Sequence, residues 1–350
     1  MAGRACILFG RLEEEMRTGV VSKPRAYLYE NCPEQPGGKP VDISGRQQCA
    51  QEEKTQISDE VLMGWTVGIL EEAGDYIRIV THYGYEGWIA AGNVTEGEGG
   101  TSRNGSEAEK ASGTMWDASE ADATFRENGW VVTARWVDVM SIPTVRGIIL
   151  TTLCRGCFVT LLEERAEKGY RLIRTSAGVT GYVPAVSICE RKDTNRFLTE
   201  GTPFTDSSMI PACLETSAGE EAFREAVTGT AKGYLGTQYR WGGKSSEGID
   251  CSGLAFMSYM LNGVLIYRDA SIEKGYPIRE IPKEAVQKGD LIFFPGHVAI
   301  CLGEGRFIHS TGYEKSFGCV INSLNPQDAD YREDLANTIT AVGSIFPMER

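Results

Sequence analysis

The stretch Gly248-Ile-Asp-Cys-Ser-Gly253 decides how the last third of the chain is interpreted. Cys251 stands where this turn of small residues meets an apolar segment with Leu254 and Met257 at helical spacing, which predicts a helix beginning near Cys251. A sulfur in the first turn of a helix faces unpaired N–H groups and the positive end of the helix dipole, which favour thiolate over thiol. Cys251 is therefore a candidate nucleophile.

Two of the three histidines lie on a predicted hairpin after this helix. His297 opens one strand and His309 nearly closes the next, with Gly303-Glu-Gly305 between them. If those three residues form the loop, Ala299 pairs with His309 and the two imidazoles lie side by side on one face of the sheet. If a two-residue turn instead pairs the first of these glycines with Arg306, the register flips and the histidines face opposite ways.

The elements around these residues predict one α+β domain over residues 217–350. Ser217-Ala-Gly-Glu220 has capping-box spacing and precedes apolar residues at helical intervals. Three strand candidates then follow the Cys251 helix, at residues 290–294, 297–302 and 306–309. Helices followed by strands, rather than alternating with them, indicate an α+β fold with an antiparallel sheet.

An internal repeat organises the first half of the chain. Residues 64–72 and 156–164 share an apolar pattern and both end in Leu-Glu-Glu. Short apolar segments separated by turn residues are typical of the strands of small barrels. We therefore predict two copies of one small all-β barrel, at residues 15–97 and 128–191.

Two segments between these domains are predicted to be connections. Residues 98–127 are rich in Gly, Ser and acidic residues, a composition that cannot bury enough apolar surface to fold alone, so we predict a linker or surface loop. Residues 192–216 are predicted to link the second barrel to the α+β domain.

Composition excludes several classes of protein. The chain has 350 residues, 41% of them hydrophobic, which argues against disorder, and no apolar run approaches the roughly 18 residues of a membrane span. The net charge of −13 has the wrong sign for binding nucleic acid or an anionic polymer. We expect a small or neutral partner, no nucleic acid and no obligate protein partner.

Cysteine usage bears on location and on metals. Ten irregularly spaced cysteines suit reduced thiols, and the apolar run Ala5–Phe9 is too short for a signal peptide. These features predict a cytoplasmic protein, or an extracellular or cell-envelope protein whose leader has been removed. Cys154 and Cys157 have metal-ligand spacing, but no second pair accompanies them, so we predict buried or turn thiols and no metal or cofactor.

Several motifs, in order and at matching spacing, resemble the NlpC-type family of papain-like bacterial cell-wall peptidases. They are Tyr239-Arg-Trp-Gly-Gly243, Gly248-Ile-Asp-Cys-Ser-Gly253, Gly289-Asp-Leu-Ile-Phe-Phe294, His297-Val298 and Phe307-Ile-His309. The paired barrels resemble the bacterial SH3-like domains that accompany this family. The resemblance thus implies two small SH3-like barrels followed by an α+β papain-like catalytic domain.

The resemblance also implies an activity. Such a protein would be a cysteine endopeptidase that cuts the γ-D-glutamyl to diamino-acid bond of peptidoglycan stem peptides. Cys251 would attack the carbonyl, His297 would take the thiol proton and His309 would orient His297. With an imidazole pKa near 6.5, a thiolate–imidazolium pair could exist at neutral pH.

With its two barrels the chain resembles the family members that require a free N-terminal L-Ala in their substrate. This resemblance implies a set of substrate-binding positions. In this chain these are Tyr239, Trp241, Asp250, Ser252 and Ser271, with Tyr85 and Glu60 of the first barrel as candidates for a wall of the site. A carboxylate facing the peptide ammonium would favour the binding of peptides with a free N-terminal amine. The chain departs from the family just after Ser271, where Ile272-Glu-Lys274 stands in place of a frequent Gln.

Two other readings stay open from the sequence alone. The chain could bind peptidoglycan or peptides with a degenerate catalytic domain, although the set of Cys251, His297 and His309 disfavours this. It could also use the same chemistry as an amidase or acyltransferase.

Overall fold

The computed structural model describes residues 17–33, 56–96, 129–163, 165–192 and 216–346. The chain divides into two compact units, of which the first contains two seven-stranded sheets and the second contains a six-stranded sheet with the helices. In the first unit the strands are β1 Arg17–Val21, β2 Arg25–Tyr29, β3 Ile57–Leu62, β4 Thr66–Ala73, β5 Tyr76–Thr81, β6 Glu86–Ala90, β7 Val94–Glu96, β8 Trp130–Val132, β9 Trp136–Met140, β10 Ile149–Cys154, β11 Phe158–Leu161, β12 Tyr170–Arg174, β13 Thr180–Pro184 and β14 Ile188–Glu190.

The two sheets of the first unit share one topology. The strand orders are β3-β2-β6-β5-β4-β1-β7 and β10-β9-β13-β12-β11-β8-β14, which become identical when seven is subtracted from each number of the second. The prediction of two copies of one small all-β barrel is therefore confirmed.

The copies contact each other through a turn of the first and a strand of the second. The Phe158 N–H donates to the Met63 carbonyl over 2.8 Å. Gly64 lies beside this contact with a φ of +83°, and a Cβ there would fall 2.3 Å from the Phe158 carbonyl oxygen. Only glycine fits so close a backbone approach at a positive φ.

The second unit is built on an antiparallel sheet. Its strands are β15 Lys244–Ser245, β16 Gly248–Ile249, β17 Arg279–Ile281, β18 Leu291–Phe294, β19 His297–Gly303, β20 Arg306–Thr311, β21 Gly318–Ser323 and β22 Ala341–Ser344, and its helices are α1 Ser217–Lys232, α2 Cys251–Met260 and α3 Glu333–Ala336. Strands β17-β22-β18-β19-β20-β21 form the sheet, and each neighbouring pair in it is antiparallel. The predicted α+β architecture is thus confirmed.

Apolar packing explains why this unit holds its site rigidly. Every residue of α2 is buried, and the helix packs against α1, β19 and β20. One face of the sheet forms an apolar cluster of Ile292, Phe294, Ala299, Cys301, Phe307 and Leu335. A helix and strands buried on all sides keep the side chains at their ends in fixed positions.

Helix α1 begins one residue away from the predicted cap. Thr216 is the N-cap and its hydroxyl accepts the Gly219 N–H over 3.1 Å, so the capping-box interpretation of Ser217 was wrong by one position. The predicted linker at 98–127 lies outside the described residues, and of 192–216 only the two end residues are described. The domain boundaries stay predictions. In the described part of the chain, no helix has the length and apolarity needed to cross a membrane.

Candidate active site

Cys251 is the first residue of α2 and is 8% exposed. The preceding residue, Asp250, is the N-cap, and its Oδ1 accepts the Gly253 N–H over 2.6 Å. The Cys251 sulfur accepts hydrogen bonds from the backbone N–H groups of Ser252 and Val298. The helix start and the backbone of Val298, the residue that follows His297, therefore hold the sulfur in place.

The protonation state of Cys251 differs from the sequence expectation. Burial raises the pKa of the Cys251 thiol to about 12, and the Asp250 carboxylate raises it further. The helix terminus favours thiolate by only about 0.3 to 1 kcal/mol, whereas removing a charge from water costs several kcal/mol. Burial therefore outweighs the helix terminus, and of the two forms that the sequence leaves open the thiol is favoured at rest.

The two histidines meet as the first of the two registers predicts. His297 Nε2 and His309 Nδ1 are 2.7 Å apart, with ring centroids separated by 5.0 Å. Ile300 pairs with Ile308, which puts Ala299 opposite His309 on counting back.

The hairpin reaches this register by an unexpected route. Gly303 pairs with Arg306, so the loop has two residues, Glu304 and Gly305, both at positive φ. This is the turn of the second alternative, which alone would set the histidines on opposite faces. A bulge between Cys301 and Gly303 inserts one extra residue and restores the register that brings the imidazoles together.

Asn322 completes the chain of side chains and was not predicted from the sequence. Its Oδ1 lies 2.9 Å from His309 Nε2 and accepts the Ser316 hydroxyl over 2.8 Å. Its Nδ2 donates to the Asp330 carbonyl over 3.1 Å, which fixes the orientation of the amide. His309 Nε2 must therefore carry its proton and donate it to Asn322.

The protonation of His309 determines which nitrogen of His297 carries a proton. Because His309 Nε2 is protonated, the Nδ1 of a neutral His309 is an acceptor, and His297 Nε2 must donate to it. The remaining nitrogen, His297 Nδ1, is then the acceptor for a thiol proton. The side chains thus form an ordered chain from His297 through His309 to Asn322.

Both imidazoles are held neutral. Burial lowers the pKa of His297 to about 4, and the charge of Arg332 lowers it further. Burial also lowers the pKa of His309 to about 3, with His297 as the next contribution. At neutral pH these shifted pKa values favour a neutral thiol and neutral imidazoles over an ion pair.

The pH dependence of catalysis should follow from these values. We expect kcat/KM to stay nearly constant as the pH falls from about 7 to 5 and to drop only as His297 is protonated near pH 4, because an imidazolium cannot accept the thiol proton. Initial rates between about pH 3.5 and 7, with folding checked by circular dichroism, measure the acid limb. A half-maximal rate near pH 6.5 would contradict this account.

Asp250 belongs to a buried ionic network. Arg268 Nη2 is 3.0 Å from Asp250 Oδ2, and Arg268 Nη1 donates to Ser252 Oγ over 2.7 Å. Asp250 Oδ2 also accepts the Gly242 N–H over 2.8 Å. Its carboxylate is thus already paired and bonded, and Arg268 was not among the predicted site residues.

The other predicted substrate residues of the second unit differ in exposure. Burial raises the pKa of the Tyr239 phenol, and the neighbouring Cys251 and Asp250 raise it further, which shows that the ring lies close to the nucleophile. Trp241 is 56% exposed. Ser252 and Ser271 both line a cavity beside the nucleophile.

Tyr85 and Glu60 lie in the first unit. Glu60 is fully buried and lies 3.7 Å from Arg25, and the Tyr85 hydroxyl donates to the Ser58 carbonyl over 3.4 Å. That these two residues form a wall of the site stays a prediction.

The cysteine pair Cys154 and Cys157 is buried, as predicted. Over the described ranges, no group of three or more His, Cys, Asp or Glu side chains could hold a metal ion.

Comparisons with known proteins agree with this geometry. The NlpC/P60 family model matches residues 236–328, which include Cys251, His297, His309 and Asn322. Dipeptidyl-peptidase 6 of Lysinibacillus sphaericus is 34% identical over 296 residues, 83% of this chain and 93% of the relative. Gamma-D-glutamyl-L-lysine dipeptidyl-peptidase of Bacillus cereus is 35% identical over 125 residues, 33% of this chain and 34% of the relative.

A solved structure shows the same fold over nearly the whole chain. The crystal structure of an NlpC/P60 family protein from Bacillus cereus covers 94% of this chain and 100% of its own, with a TM-score of 0.64 and 20% sequence identity. The family is established by the 34% identity to dipeptidyl-peptidase 6, which extends over 83% of this chain. The chain belongs to the NlpC/P60 family of cysteine peptidases.

Proposed function

We propose that the chain hydrolyses the γ-D-glutamyl to diamino-acid bond of peptidoglycan stem peptides that begin with a free L-Ala. Two observations carry this proposal: the chain of side chains from His297 through His309 to Asn322, and the position of the Cys251 sulfur, which is bonded by the N–H of Val298, the residue that follows His297. The substrate class rests on the names of the relatives, one of which is a gamma-D-glutamyl-L-lysine dipeptidyl-peptidase.

The first half of the reaction forms an acyl-enzyme. His297 Nδ1 takes the Cys251 proton as the sulfur bonds to the γ-carbonyl carbon, and the carbonyl electrons move to oxygen. The backbone N–H of Cys251, in the first turn of α2, can stabilise that oxyanion. When the intermediate collapses, the C–N bond breaks and His297 gives its proton to the leaving amine.

The second half returns the resting enzyme. Water enters where the diamino acid has left, His297 takes a proton from it, and the hydroxide attacks the thioester carbon. The C–S bond then breaks, the proton returns to sulfur, and L-Ala-γ-D-Glu leaves with a new carboxylate. The low pKa of His297 makes its imidazolium a strong acid, which helps protonate the leaving group.

The acidic character of the chain supports soluble peptides as substrates. A net charge of −13 repels anionic wall polymer, whereas a short stem peptide approaches without that cost. We propose that the reaction takes place in the cytoplasm on released peptides.

A matched pair of peptides tests the proposal. We expect cleavage of L-Ala-γ-D-Glu-L-Lys at the γ-glutamyl bond, and at least about 100-fold slower cleavage of its N-acetylated twin, because a site that binds an amine rejects its acylated form. Chromatography of the released lysine measures both rates. Equal rates would contradict the free-amine requirement, and no cleavage of either peptide by a protein whose Cys251 reacts with iodoacetamide would favour another acyl transfer.

A further inference from the structure

Asn322 ends the chain of side chains that includes both histidines of the site, and residues 330–332 hold this end. The Asp330 carbonyl accepts the Asn322 Nδ2–H over 3.1 Å and the Ser323 N–H over 3.2 Å. The Arg332 N–H donates to the Ser323 carbonyl over 2.9 Å. Residues 330–332 therefore lie along the end of β21 and determine how the Asn322 amide is oriented.

The side chain of Arg332 is clamped at the end of this segment and is 7% exposed. Its Nε and Nη2 donate to the two carboxylate oxygens of Asp334 over 2.8 and 2.6 Å. Its Cζ lies 4.2 Å from the centroid of the Tyr313 ring. A planar guanidinium that is held by a two-bond fork and by an aromatic ring has little freedom to move. The clamp therefore fixes the backbone from which the side chain extends.

One nitrogen of this guanidinium contributes nothing visible to stability. Arg332 Nη1 is buried and makes no hydrogen bond to any residue that the structure describes. Burying an N–H without a partner is costly, and more so for a charged group. A methionine would fill similar space without that cost, and the Asp334 carboxylate is exposed, so it can be solvated without the guanidinium. A buried group kept at such a cost is typical of a functional role.

The charge of Arg332 acts on both imidazoles. Burial is the largest cause of the low pKa values of His297 and His309, and the guanidinium lowers both further. The carboxylate of Asp334 acts on both in the opposite direction. The titratable groups at this end of the sheet are Cys251 and Asp250 at the start of α2, His309 on β20, and Arg332 and Asp334.

We propose that Arg332 is a positioning residue for the peptidase reaction, which holds the Asn322 end of the histidine chain in place and keeps a positive charge near the imidazoles. The fixed amide maintains the tautomers in which His309 donates to Asn322 and His297 donates to His309, so His297 Nδ1 remains an acceptor. The positive charge makes the imidazolium formed during the reaction a stronger acid, which favours proton transfer to the leaving amine. The inference rests on the proposed function only for the choice of substrate.

Arg332→Met and Arg332→Lys test the inference in the full chain, with L-Ala-γ-D-Glu-L-Lys as the substrate. In Arg332→Met, kcat should fall about tenfold or more, because a small displacement of the base is enough, while KM should stay within about twofold. Arg332→Lys keeps the charge but cannot form the fork to Asp334, so kcat should recover only in part. Arg279→Met, at an exposed residue of β17 on the opposite edge of the same sheet, is the matched control and should change neither value.

Histidine titration gives a second result that needs no substrate. The chain has three histidines, so NMR of protein labelled with ¹³C-histidine gives few ring signals, and loss of a signal in His297→Gln assigns that residue. The midpoint of the His297 titration should rise by about 0.5 pH or more in Arg332→Met, because loss of the positive charge favours the imidazolium. It should stay at the wild-type value in Arg332→Lys. A merely structural role would lower the urea midpoint of unfolding without moving this titration.

A folded Arg332→Met protein with the kcat and the His297 titration of the wild type would overturn the inference and leave the proposed function intact. A raised KM with unchanged kcat would also overturn it, because Arg332 would then contact the substrate. If Arg332→Met does not fold, a folded Arg332→Lys protein with the kcat of the wild type would overturn it as well. A wild type that leaves the peptide uncut would overturn the proposed function, whereas a raised His297 midpoint in Arg332→Met would still support the inference.

Discussion

Cys251→Ser is expected to lower kcat/KM for peptide hydrolysis by about 10⁴-fold or more. The serine hydroxyl is almost the same size, so α2 and the hydrogen bonds from Ser252 and Val298 should persist. A hydroxyl is far less acidic than a thiol, and His297, whose pKa is about 4, is too weak a base to activate it. Release of the diamino acid, followed by chromatography, gives the rate.

Cys189→Ser is the matched control for that experiment. Cys189 is a partly exposed residue of β14 in the first unit and has no place in the relay. Its replacement should leave kcat/KM within about twofold of the wild type. A Cys251→Ser protein with more than about 1% of wild-type activity would contradict the assignment of the nucleophile.

Arg268→Met is expected to destabilise the second unit by about 3 to 5 kcal/mol. Arg268 and Asp250 are both buried, and removing the guanidinium leaves the Asp250 charge without its partner in a region of low dielectric. Methionine fills similar space, so the loss reports the charge rather than a cavity. All α-helices of the described residues lie in this unit, so urea denaturation followed at the α-helical circular dichroism band measures its unfolding.

A double-mutant cycle separates the contribution of the ion pair to stability from the other effects of each substitution. Asp250→Asn removes the charge while its Oδ1 can still cap α2 by accepting the Gly253 N–H. The double variant should therefore be more stable than the sum of the two single losses predicts, by at least about 1 kcal/mol. Losses that add without coupling would show that the buried pair is not what makes Arg268 important.

The candidate residues Cys251, His297 and His309 could be singled out from the sequence because each stands at an element boundary with its own signal. Cys251 follows a turn and opens an apolar helix, and His297 and His309 open and nearly close two strands of a hairpin. These are local patterns. The two-copy barrel was likewise visible because the repeat preserves its Leu-Glu-Glu ending.

The hairpin register could not be decided in the same way. Loop lengths of two and three residues both suit Gly303-Glu-Gly305, and they place His297 and His309 on different faces. The structure combines a two-residue turn with a bulge between Cys301 and Gly303. The bulge, which the sequence does not signal, places the buried His309 and the partly buried His297 on one face.

Asn322 and the charge states were missed for a different reason. Asn322 lies on β21 opposite Phe307, diagonal to His309, and a single asparagine in a strand gives no signal of its role. The sequence left the thiol and thiolate forms of Cys251 open because a helix start is visible in the sequence whereas the depth of burial of Cys251 is not. Tertiary contacts set both features.

The most direct test of the central claim is to trap the acyl-enzyme. Rapid acid quench of the wild type with an activated aryl ester of L-Ala-γ-D-Glu, followed by peptide mapping in a mass spectrometer, identifies the acylated residue. We predict that the peptide containing Cys251 gains the mass of one L-Ala-γ-D-glutamyl group and that Cys251→Ser shows no such gain. An acyl group on another residue, or product formed by Cys251→Ser at the wild-type rate, would contradict the account.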